Sequence, residues 1–305
     1  MYDTIENLKE KIKNNQAIVS YISTGIEPLD KELLDYQNGE LITITSRING
    51  GKTSLALSSV LRAIEKQQNV LYILMEETPD MLIAKLLAMK YNNIPIKSIL
   101  TATYDPKIKP QLLKTLEEIE KYLTIKNEMY IDTDYISRLI EYEMAIETEL
   151  VIIDSLQFVT SNVDSTINIV KELKRLAYVS QTPIVLLNNL DITKEKEYGK
   201  KPIEPDFLDA KDIFNYSDKV IVIYNDAIFR QRREASKELQ AEQNFQNPPY
   251  RSSYLNIPLI EKELIILKNK FGEKSSVKVD FRKQTATFQE ITYDDIVLPD
   301  DIDLE

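Results

Sequence analysis

The sequence contains no cysteine, no histidine and no tryptophan, and only six glycines among its 305 residues. Because cysteine is absent, a disulfide framework, a thiolate nucleophile and an iron–sulfur centre are all excluded. The absence of histidine excludes an imidazole base and the usual zinc sites. Any chemistry in this chain therefore depends on carboxylates, lysine, hydroxyls, amides or bound Mg²⁺.

Long apolar runs are also missing, and much of the negative charge lies in the last 16 residues. No stretch approaches the roughly 18 consecutive apolar residues of a membrane span, and the polar N-terminus has no apolar signal segment. The formal net charge is −11, but residues 290–305 hold seven acids and no base, so the first 289 residues carry only −4. The nearly neutral charge of residues 1–289 is compatible with a DNA-binding groove but is not evidence for one. We therefore expect a cytoplasmic protein with no membrane partner.

Two patterns alternate along the chain: short continuous apolar runs, typical of strands buried on both faces of a parallel sheet, and segments of helical periodicity. The apolar runs are 41–45, 70–75, 129–131, 150–153, 184–188, 220–224 and 263–267, and the helical segments are 54–67, 81–91, 109–123, 137–147 and 167–180. Such alternation predicts βαβ units. Residues 275–281 and 285–289 predict a hairpin at the sheet edge. The expected fold is α/β, a mainly parallel sheet flanked by helices with a C-terminal antiparallel hairpin.

The same patterns divide the chain into three regions. Residues 1–19 place apolar side chains, from Ile5 to Ile12, at helical spacing among charged residues, which predicts a short amphipathic helix. Residues 20–289 hold the alternating elements without a clear linker or internal repeat, so we predict one domain there. Residues 290–305 form an acidic tail without periodicity, which we expect to be disordered.

The junction between the first long strand and the next helix carries a candidate phosphate-binding loop, residues 46–53. It matches G-x-x-x-x-G-K-[ST] except that Ser46 replaces the first glycine. In this pattern backbone N–H groups converge on phosphate oxygens, Lys52 reaches the β- and γ-phosphates, and the Thr53 hydroxyl ligates Mg²⁺. Two adjacent glycines in a glycine-poor chain argue against a chance turn. The predicted nucleotide contacts are Ser46, Asn49, Gly50, Gly51, Lys52, Thr53 and Ser54.

Two carboxylates follow other predicted strands. Asp154 ends the run 150–153, and Glu76 ends the run 70–75. Alone, each has an ordinary explanation, a helix cap for Asp154 and a solvated acid for Glu76. Beside a phosphate loop they predict a metal-binding carboxylate, Asp154, and a base that polarises the attacking water, Glu76. ATP and Mg²⁺ are therefore the expected cofactors.

The order of these motifs resembles the RecA-like motor domain of DnaB-type replicative DNA helicases. The segments that carry the resemblance are STGIEPLD, SRINGGKTSLAL, VLYILMEET, ELVIIDSLQFV, PIVLLNNL, PDFLDAKDIFNYSDKVIVIYND and IILKNKFGEKS. The resemblance covers about residues 20–289 and does not include the family's hub domain, which we expect to be missing. It implies that the helix in 1–19 corresponds to the family's linker helix. The resemblance implies a RecA-like P-loop NTPase that forms a homo-oligomeric ring, usually a hexamer, with ATP at each subunit boundary. It further implies translocation on single-stranded DNA during replication, with primase or a helicase loader as partners.

The resemblance also implies roles for single residues. Glu76 corresponds to the catalytic glutamate and Asp154 to the Walker B aspartate. Gln157 corresponds to the glutamine of the D-x-L-Q segment and is a further candidate nucleotide contact. Asn189 stands where the family has a glutamine that senses the γ-phosphate. Two further lysines correspond to residues that act in the neighbouring subunit's site, namely Lys268 and Lys270.

The sequence departs from the family in two places. Lys270 replaces the arginine finger, and an ammonium lacks the bidentate contact of a guanidinium with phosphate, so slow turnover is expected. In the DNA-facing loop, residues 208–211 replace an Arg-Glu-x-Gly stretch. Lys200, Lys201 and Lys211 are the candidate DNA contacts there; the other interpretation is a solvated loop with incidental lysines.

Two functions of different classes remain after these observations. The first is an ATP-dependent, ring-forming DNA helicase or translocase. The second is an ATP-binding ring or a regulatory or assembly protein derived from a helicase motor, with weak or no unwinding. Lys270, the altered 208–211 stretch and the acidic balance favour the second, whereas the intact loop, Glu76 and Asp154 favour the first. A RecA-like recombinase or clock-type ATPase fits the Gln157 segment less well.

Overall fold

The computed structural model describes residues 2–15, 21–144, 147–160, 166–190, 211–225 and 260–291. The helices are α1 Tyr2–Lys13, α2 Glu27–Leu33, α3 Lys52–Glu65, α4 Pro79–Tyr91, α5 Ile96–Leu100, α6 Lys109–Tyr122, α7 Thr133–Met144, α8 Thr166–Ser180 and α9 Lys211–Tyr216. The strands are β1 Tyr21–Ile22, β2 Tyr36–Gln37, β3 Leu41–Ser46, β4 Asn69–Leu74, β5 Leu123–Asn127, β6 Ile131–Asp132, β7 Thr148–Asp154, β8 Val159–Thr160, β9 Ile184–Asn189, β10 Lys219–Tyr224, β11 Ile260–Asn269, β12 Ser275–Arg282 and β13 Thr287–Glu290.

One large sheet organises the described part of the chain. Its strand order is β13-β12-β11-β10-β3-β9-β7-β4-β5. The strands from β10 to β5 run parallel, and β11, β12 and β13 are antiparallel to their neighbours. Because parallel strands end at the same edge, the chain segments that follow β3, β9, β7 and β4 lie side by side.

The central strands are buried on both faces, as their apolar sequences predict. All six residues of β3 are buried. Ile42 and Ile44 pack with Leu55 and Val60 of α3 on one face, whereas Leu41 belongs to the core on the other face. That second core takes helical side chains from α7, α8 and α9. The predicted α/β fold, with helices on both faces of a mainly parallel sheet, is confirmed.

The predicted C-terminal hairpin is also confirmed. β12 and β13 pair antiparallel at the sheet edge, with Phe281 opposite Phe288. The strand before them, β11, contains the apolar run 263–267 and is antiparallel to β10. An apolar run indicates that a strand is buried but not whether it runs parallel or antiparallel to its neighbour. The orientation of β11 is therefore not evident from the sequence.

One predicted strand is wrong. The run 129–131 does not enter the main sheet: Met129 and Tyr130 are 70% and 66% exposed, and only β6 pairs, in a separate small sheet with β8. The edge position is taken by β5, which begins where helical periodicity predicts the end of a helix. In β5 the buried Leu123 is followed by half-buried residues, a mixed pattern typical of an edge strand that the search for continuous apolar runs misses.

The predicted N-terminal helix is present as α1, in which Ile5 and Ile12 are more than half exposed. Residues 16–20 and the acidic tail from 292 onward lie outside the described residues, so the boundaries 1–19, 20–289 and 290–305 stay predictions. Among the helices that the structure describes, none is both long and apolar enough to cross a membrane.

Candidate active site

The predicted phosphate loop joins β3 to α3. The Gly50 N–H donates to the Arg47 carbonyl at 2.9 Å, and the Leu55 N–H donates to the Gly51 carbonyl at 3.0 Å, so the loop leads directly into the first helical turn. Gly51 has φ of 106°, a left-handed conformation that glycine adopts without strain. A Cβ at Gly50 would lie 2.5 Å from the Ser46 Cβ and 2.8 Å from the Arg47 carbonyl oxygen. Both glycines are therefore required for this loop.

Ser46, which replaces the first glycine of the pattern, is fully buried at the end of β3. Its hydroxyl donates to the Arg47 carbonyl at 2.7 Å. The substitution is therefore accommodated inside the loop, where the side chain bonds to the loop's own backbone. A contact of Ser46, Asn49 or Ser54 with nucleotide stays a prediction, although Asn49 and Ser54 line the adjacent cleft.

Lys52 is 6% exposed and points toward the end of β9. Its ammonium donates to Asn189 Oδ1, because β3 and β9 pair in a register that places Ser46 beside Asn189. Burial lowers the pKa of Lys52, and the charges of Glu76 and Asp154 oppose that change. The structure thus brings together the predicted phosphate lysine and the amide predicted to sense phosphate.

Asp154 ends β7 and is 1% exposed. Its Oδ2 accepts hydrogen bonds from Thr53 Oγ1 at 3.0 Å and from the Tyr72 hydroxyl at 2.8 Å. Its Oδ1 is buried and accepts none within the part of the chain that the structure describes. Burial raises the pKa of Asp154 to about 6, with the nearby charge of Glu76 adding to the effect and the two donors opposing it.

This arrangement fits a hard cation. Mg²⁺ prefers oxygen ligands and is commonly bound through one or two carboxylates together with water and substrate phosphates. Asp154 offers one carboxylate oxygen that has no partner among the described residues, and its other oxygen accepts from the Thr53 hydroxyl. No cluster of three or more acidic residues suited to a metal occurs among the described residues. A metal held here would thus depend on phosphate and water for its remaining ligands.

Glu76 follows β4 and belongs to a chain of polar side chains. The Ser155 hydroxyl donates to Glu76 Oε1 and lies 2.9 Å from Gln157 Oε1. The Gln157 amide donates to Asn188 Oδ1 at 2.7 Å. These contacts connect Glu76 to the end of β9 through residues that follow β7.

A cleft of about 730 Å³ joins these groups. Its lining includes Lys52, Thr53, Glu76 and Asp154. It also includes residues of the C-terminal strands and of the turn after β12, namely Ile260, Lys262, Phe281, Lys283 and Ala286. The cleft is thus walled by segments that are far apart in sequence, and residues 226–259 lie outside the description.

The family model of the DnaB-like helicase C terminal domain matches residues 21–290. The chain belongs to this family. Among curated proteins, it is 25% identical over 311 residues to the replicative DNA helicase DnaB of Helicobacter pylori strain J99, which covers 95% of this chain and 64% of that protein. The DnaB of Mycoplasma genitalium is 26% identical over 311 residues, 94% of this chain and 61% of that protein. The chain thus spans less than two thirds of the length of these relatives.

Two solved structures share the fold. One is described as an ATPase domain and superposes with a TM-score of 0.76 at 20% identity, over 95% of this chain and 98% of that chain. The other, a DnaB-like replicative helicase described with its interactions with primase, gives 0.74 at 19% identity, over 96% of this chain and 67% of that chain. The predicted RecA-like core and the predicted family are confirmed.

The two lysines that the DnaB-like resemblance places in a neighbour's site lie away from the cleft of their own chain. Lys268 donates to the carbonyls of Phe214 and Asn215 at 2.7 and 3.2 Å. Lys270, whose side chain is 54% exposed, pairs with Asp218 at 3.2 Å. Neither lysine lines the cleft, so a catalytic role for them requires a second subunit and stays a prediction.

The predicted DNA contacts are the least described part of the site. Lys200 and Lys201 lie outside the described residues, and so does most of the 208–211 stretch. Lys211 is the first residue of α9, where only its backbone is described. These three residues stay predictions.

Several residues that contact the predicted site residues were not evident from the sequence. Tyr72 and Ser155 bond to Asp154 and Glu76, respectively, and Lys262 bonds to the phosphate loop. Tyr72 is one apolar-run residue among many, and Lys262 lies outside every recognised motif. Only Ser155 carried a signal, since it stands between Asp154 and Gln157 in the chain.

Proposed function

We propose that this chain is the ATP-driven motor of a ring-forming DNA helicase or translocase that acts on single-stranded DNA in replication. The observation that supports the proposal most is the meeting of Lys52, Thr53, Glu76 and Asp154 around one cleft. Phosphoanhydride hydrolysis needs a phosphate cradle, a metal-binding carboxylate and a base that orients water, all at one place. The ends of β3, β7 and β4 supply these groups together.

In this proposal the residues have distinct roles. The loop amides and Lys52 bind the ATP phosphates, and Thr53 and Asp154 hold Mg²⁺. When bound, Mg²⁺ supplies positive charge to the phosphate oxygens. Glu76 orients and deprotonates the attacking water while the Ser155 hydroxyl holds its carboxylate. Asn189, bonded to Lys52, responds to the γ-phosphate.

The remaining parts of the proposal concern assembly. A ring, most simply a hexamer, places Lys268 and Lys270 of one subunit at the ATP site of the next. Lys200, Lys201 and Lys211 contact DNA phosphates, and a ring repeats each contact several-fold. Primase or a helicase loader is a proposed partner, since one solved neighbour is described with its interactions with primase. We place this activity in the cytoplasm.

The test is steady-state ATP hydrolysis by the purified chain with and without single-stranded DNA, at low and moderate salt. Lys52→Ala serves as the blank because it removes the phosphate-binding ammonium. We expect hydrolysis that DNA stimulates and that salt weakens, since each lysine–phosphate contact releases counterions. Hydrolysis equal to that of the blank would contradict the proposal.

A second candidate function is an ATP-binding ring or assembly protein without unwinding. The observation that favours it is Lys270, an ammonium in place of the arginine finger, which is paired with Asp218 of its own chain. Slow hydrolysis that is lost in Lys52→Ala but indifferent to DNA at every salt concentration would favour this function over the motor.

A further inference from the structure

Lys262, on β11, is a buried lysine that no nucleotide-binding motif includes. It is 3% exposed, and its ammonium lies 3.6 Å from the centroid of the Phe281 ring and 5.5 Å from that of Phe288. Within the described residues it forms one hydrogen bond, to the Gly50 carbonyl at 2.5 Å, and no ion pair. Burying an ammonium without a carboxylate partner costs free energy. We therefore asked what the ammonium of Lys262 does at this position.

The hydrogen bond fixes one particular peptide group of the phosphate loop. In a trans peptide the carbonyl of one residue and the N–H of the next point in opposite directions. The ammonium of Lys262 holds the Gly50 carbonyl on the side of the C-terminal strands, so the Gly51 N–H is directed away from them. Backbone N–H groups in such loops are the donors that bind phosphate oxygens.

The loop and the C-terminal strands are in close contact at this point. A Cβ on Gly51 would lie 2.9 Å from the Lys262 ammonium and 3.2 Å from the ring of Phe288. Lys262 also lines the cleft that contains Lys52 and Asp154. The ammonium of Lys262 therefore lies close to both Gly50 and Gly51, and a Cβ at Gly51 would crowd it.

We infer that Lys262 is a positioning residue for the phosphate loop, which orients the Gly50–Gly51 peptide for the nucleotide from β11, in the antiparallel part of the sheet. This inference rests on the proposed ATP site. Burial, with a smaller contribution from Lys283, lowers the pKa of Lys262 to about 7. Phosphates bound at the loop favour the charged form of Lys262, so nucleotide binding and this hydrogen bond strengthen each other.

The test compares Lys262→Met and Lys262→Arg with the wild-type chain. Methionine keeps the length and packing of the lysine stem without the ammonium, whereas arginine keeps a charged donor. Lys278→Met is the matched control, because Lys278 lies on the adjacent β12, is 64% exposed, and pairs only with the exposed Glu261 in the described structure. Each protein is measured for equilibrium binding of a fluorescent ATP analogue with Mg²⁺, and for its melting temperature without nucleotide.

We expect Lys262→Met to bind the analogue at least about tenfold more weakly, since a charge-assisted hydrogen bond to the loop is lost. Its melting temperature should be unchanged or higher, because the variant removes a buried ammonium that forms no ion pair within the described residues. Lys262→Arg should bind within about threefold of wild type and Lys278→Met should match it. In hydrolysis, KM for ATP should rise about tenfold in Lys262→Met with kcat changed less than about threefold.

Three outcomes overturn the inference: wild-type affinity in a stable Lys262→Met, weakened affinity only together with a lowered melting temperature, or weakened affinity in Lys278→Met as well. Should Lys262→Met not fold, Lys262→Arg decides alone, and a tenfold loss of affinity in a stable Lys262→Arg would overturn the inference. Failure of the proposed ATP site has a different signature. In that case wild type and Lys52→Ala bind the analogue equally poorly.

Discussion

Tyr72 and Asp154, on the neighbouring strands β4 and β7, are joined by a hydrogen bond of 2.8 Å from the tyrosine hydroxyl to Asp154 Oδ2. Burial and the adjacent carboxylate raise the pKa of Tyr72 well above its ordinary value, so the hydroxyl remains a donor. One carboxylate oxygen of Asp154 is thus held by Tyr72 and Thr53, while the other is without a protein partner in the described structure. The proposed metal carboxylate is oriented before any metal binds.

Tyr72→Phe tests this relationship, because it removes the hydroxyl and retains the ring. We expect the Mg²⁺ concentration for half-maximal ATP hydrolysis to rise about tenfold, as is typical when a residue that orients a metal ligand is lost. Tyr91→Phe is the matched control, since the Tyr91 hydroxyl bonds to Thr115 away from the cleft. An unchanged Mg²⁺ dependence in Tyr72→Phe would contradict the role given to Asp154.

Glu76→Gln tests the proposed base. The amide keeps the shape of the side chain but does not accept a proton from water, so kcat should fall at least about 100-fold while ATP still binds. Glu77→Gln is the control, because Glu77 is adjacent but pairs with Lys85 at 2.5 Å. Single-turnover hydrolysis measures both variants. Normal turnover in Glu76→Gln would remove Glu76 from this role.

Ser155→Ala tests whether the hydroxyl positions Glu76. The hydroxyl donates to Glu76 and lies beside Gln157, so its removal leaves the carboxylate without this donor. We expect kcat to fall about tenfold with little change in KM for ATP, because the interaction affects the chemical step more than binding. Combining Ser155→Ala with Glu76→Gln should add almost nothing to the effect of Glu76→Gln alone. Additive losses would mean that Ser155 acts independently.

Lys268→Ala tests the shared site. If Lys268 acts on a neighbour's nucleotide, rings mixed from wild-type and variant chains should lose more activity than the variant fraction alone accounts for. The measurement is ATPase rate against mixing ratio at constant total protein. Lys274→Ala is a suitable comparison, since the ammonium of Lys274, like that of Lys268, lies near the ring of Phe214. A rate that stays proportional to the wild-type fraction would count against a shared site.

The pH dependence of the free energy of unfolding should reveal the lowered pKa of the buried Lys262. Its pKa is about 7 in the folded chain against an ordinary value of 10.5, so between these values the unfolded chain binds more protons than the folded one. Wild-type stability should therefore rise with pH relative to Lys262→Met, by about 2 kcal/mol between pH 7 and pH 9. Chemical denaturation of both proteins without nucleotide measures the difference. A difference that is constant over this range would mean that the lysine is not desolvated.

Much of the fold and site followed from local sequence. The strand, loop and helix around Lys52 are consecutive in the chain, so their pattern of apolar residues and glycines predicts the loop directly. Glu76 and Asp154 end apolar runs, and parallel strands finish at one edge, so their approach to the loop also followed. The strand predicted at 129–131 was wrong because an apolar run indicates burial but does not determine which strand it pairs with.

The alternation of elements, the phosphate loop and the two carboxylates are evident from the sequence, since each depends on residues close together in the chain. The contacts of Tyr72 with Asp154, of Ser155 with Glu76 and of Lys262 with the Gly50 carbonyl become evident only in the folded protein. These contacts depend on strand order and register, which are set by the packing of the whole sheet. Local patterns specify which residues are buried, whereas long-range packing specifies which buried residues meet.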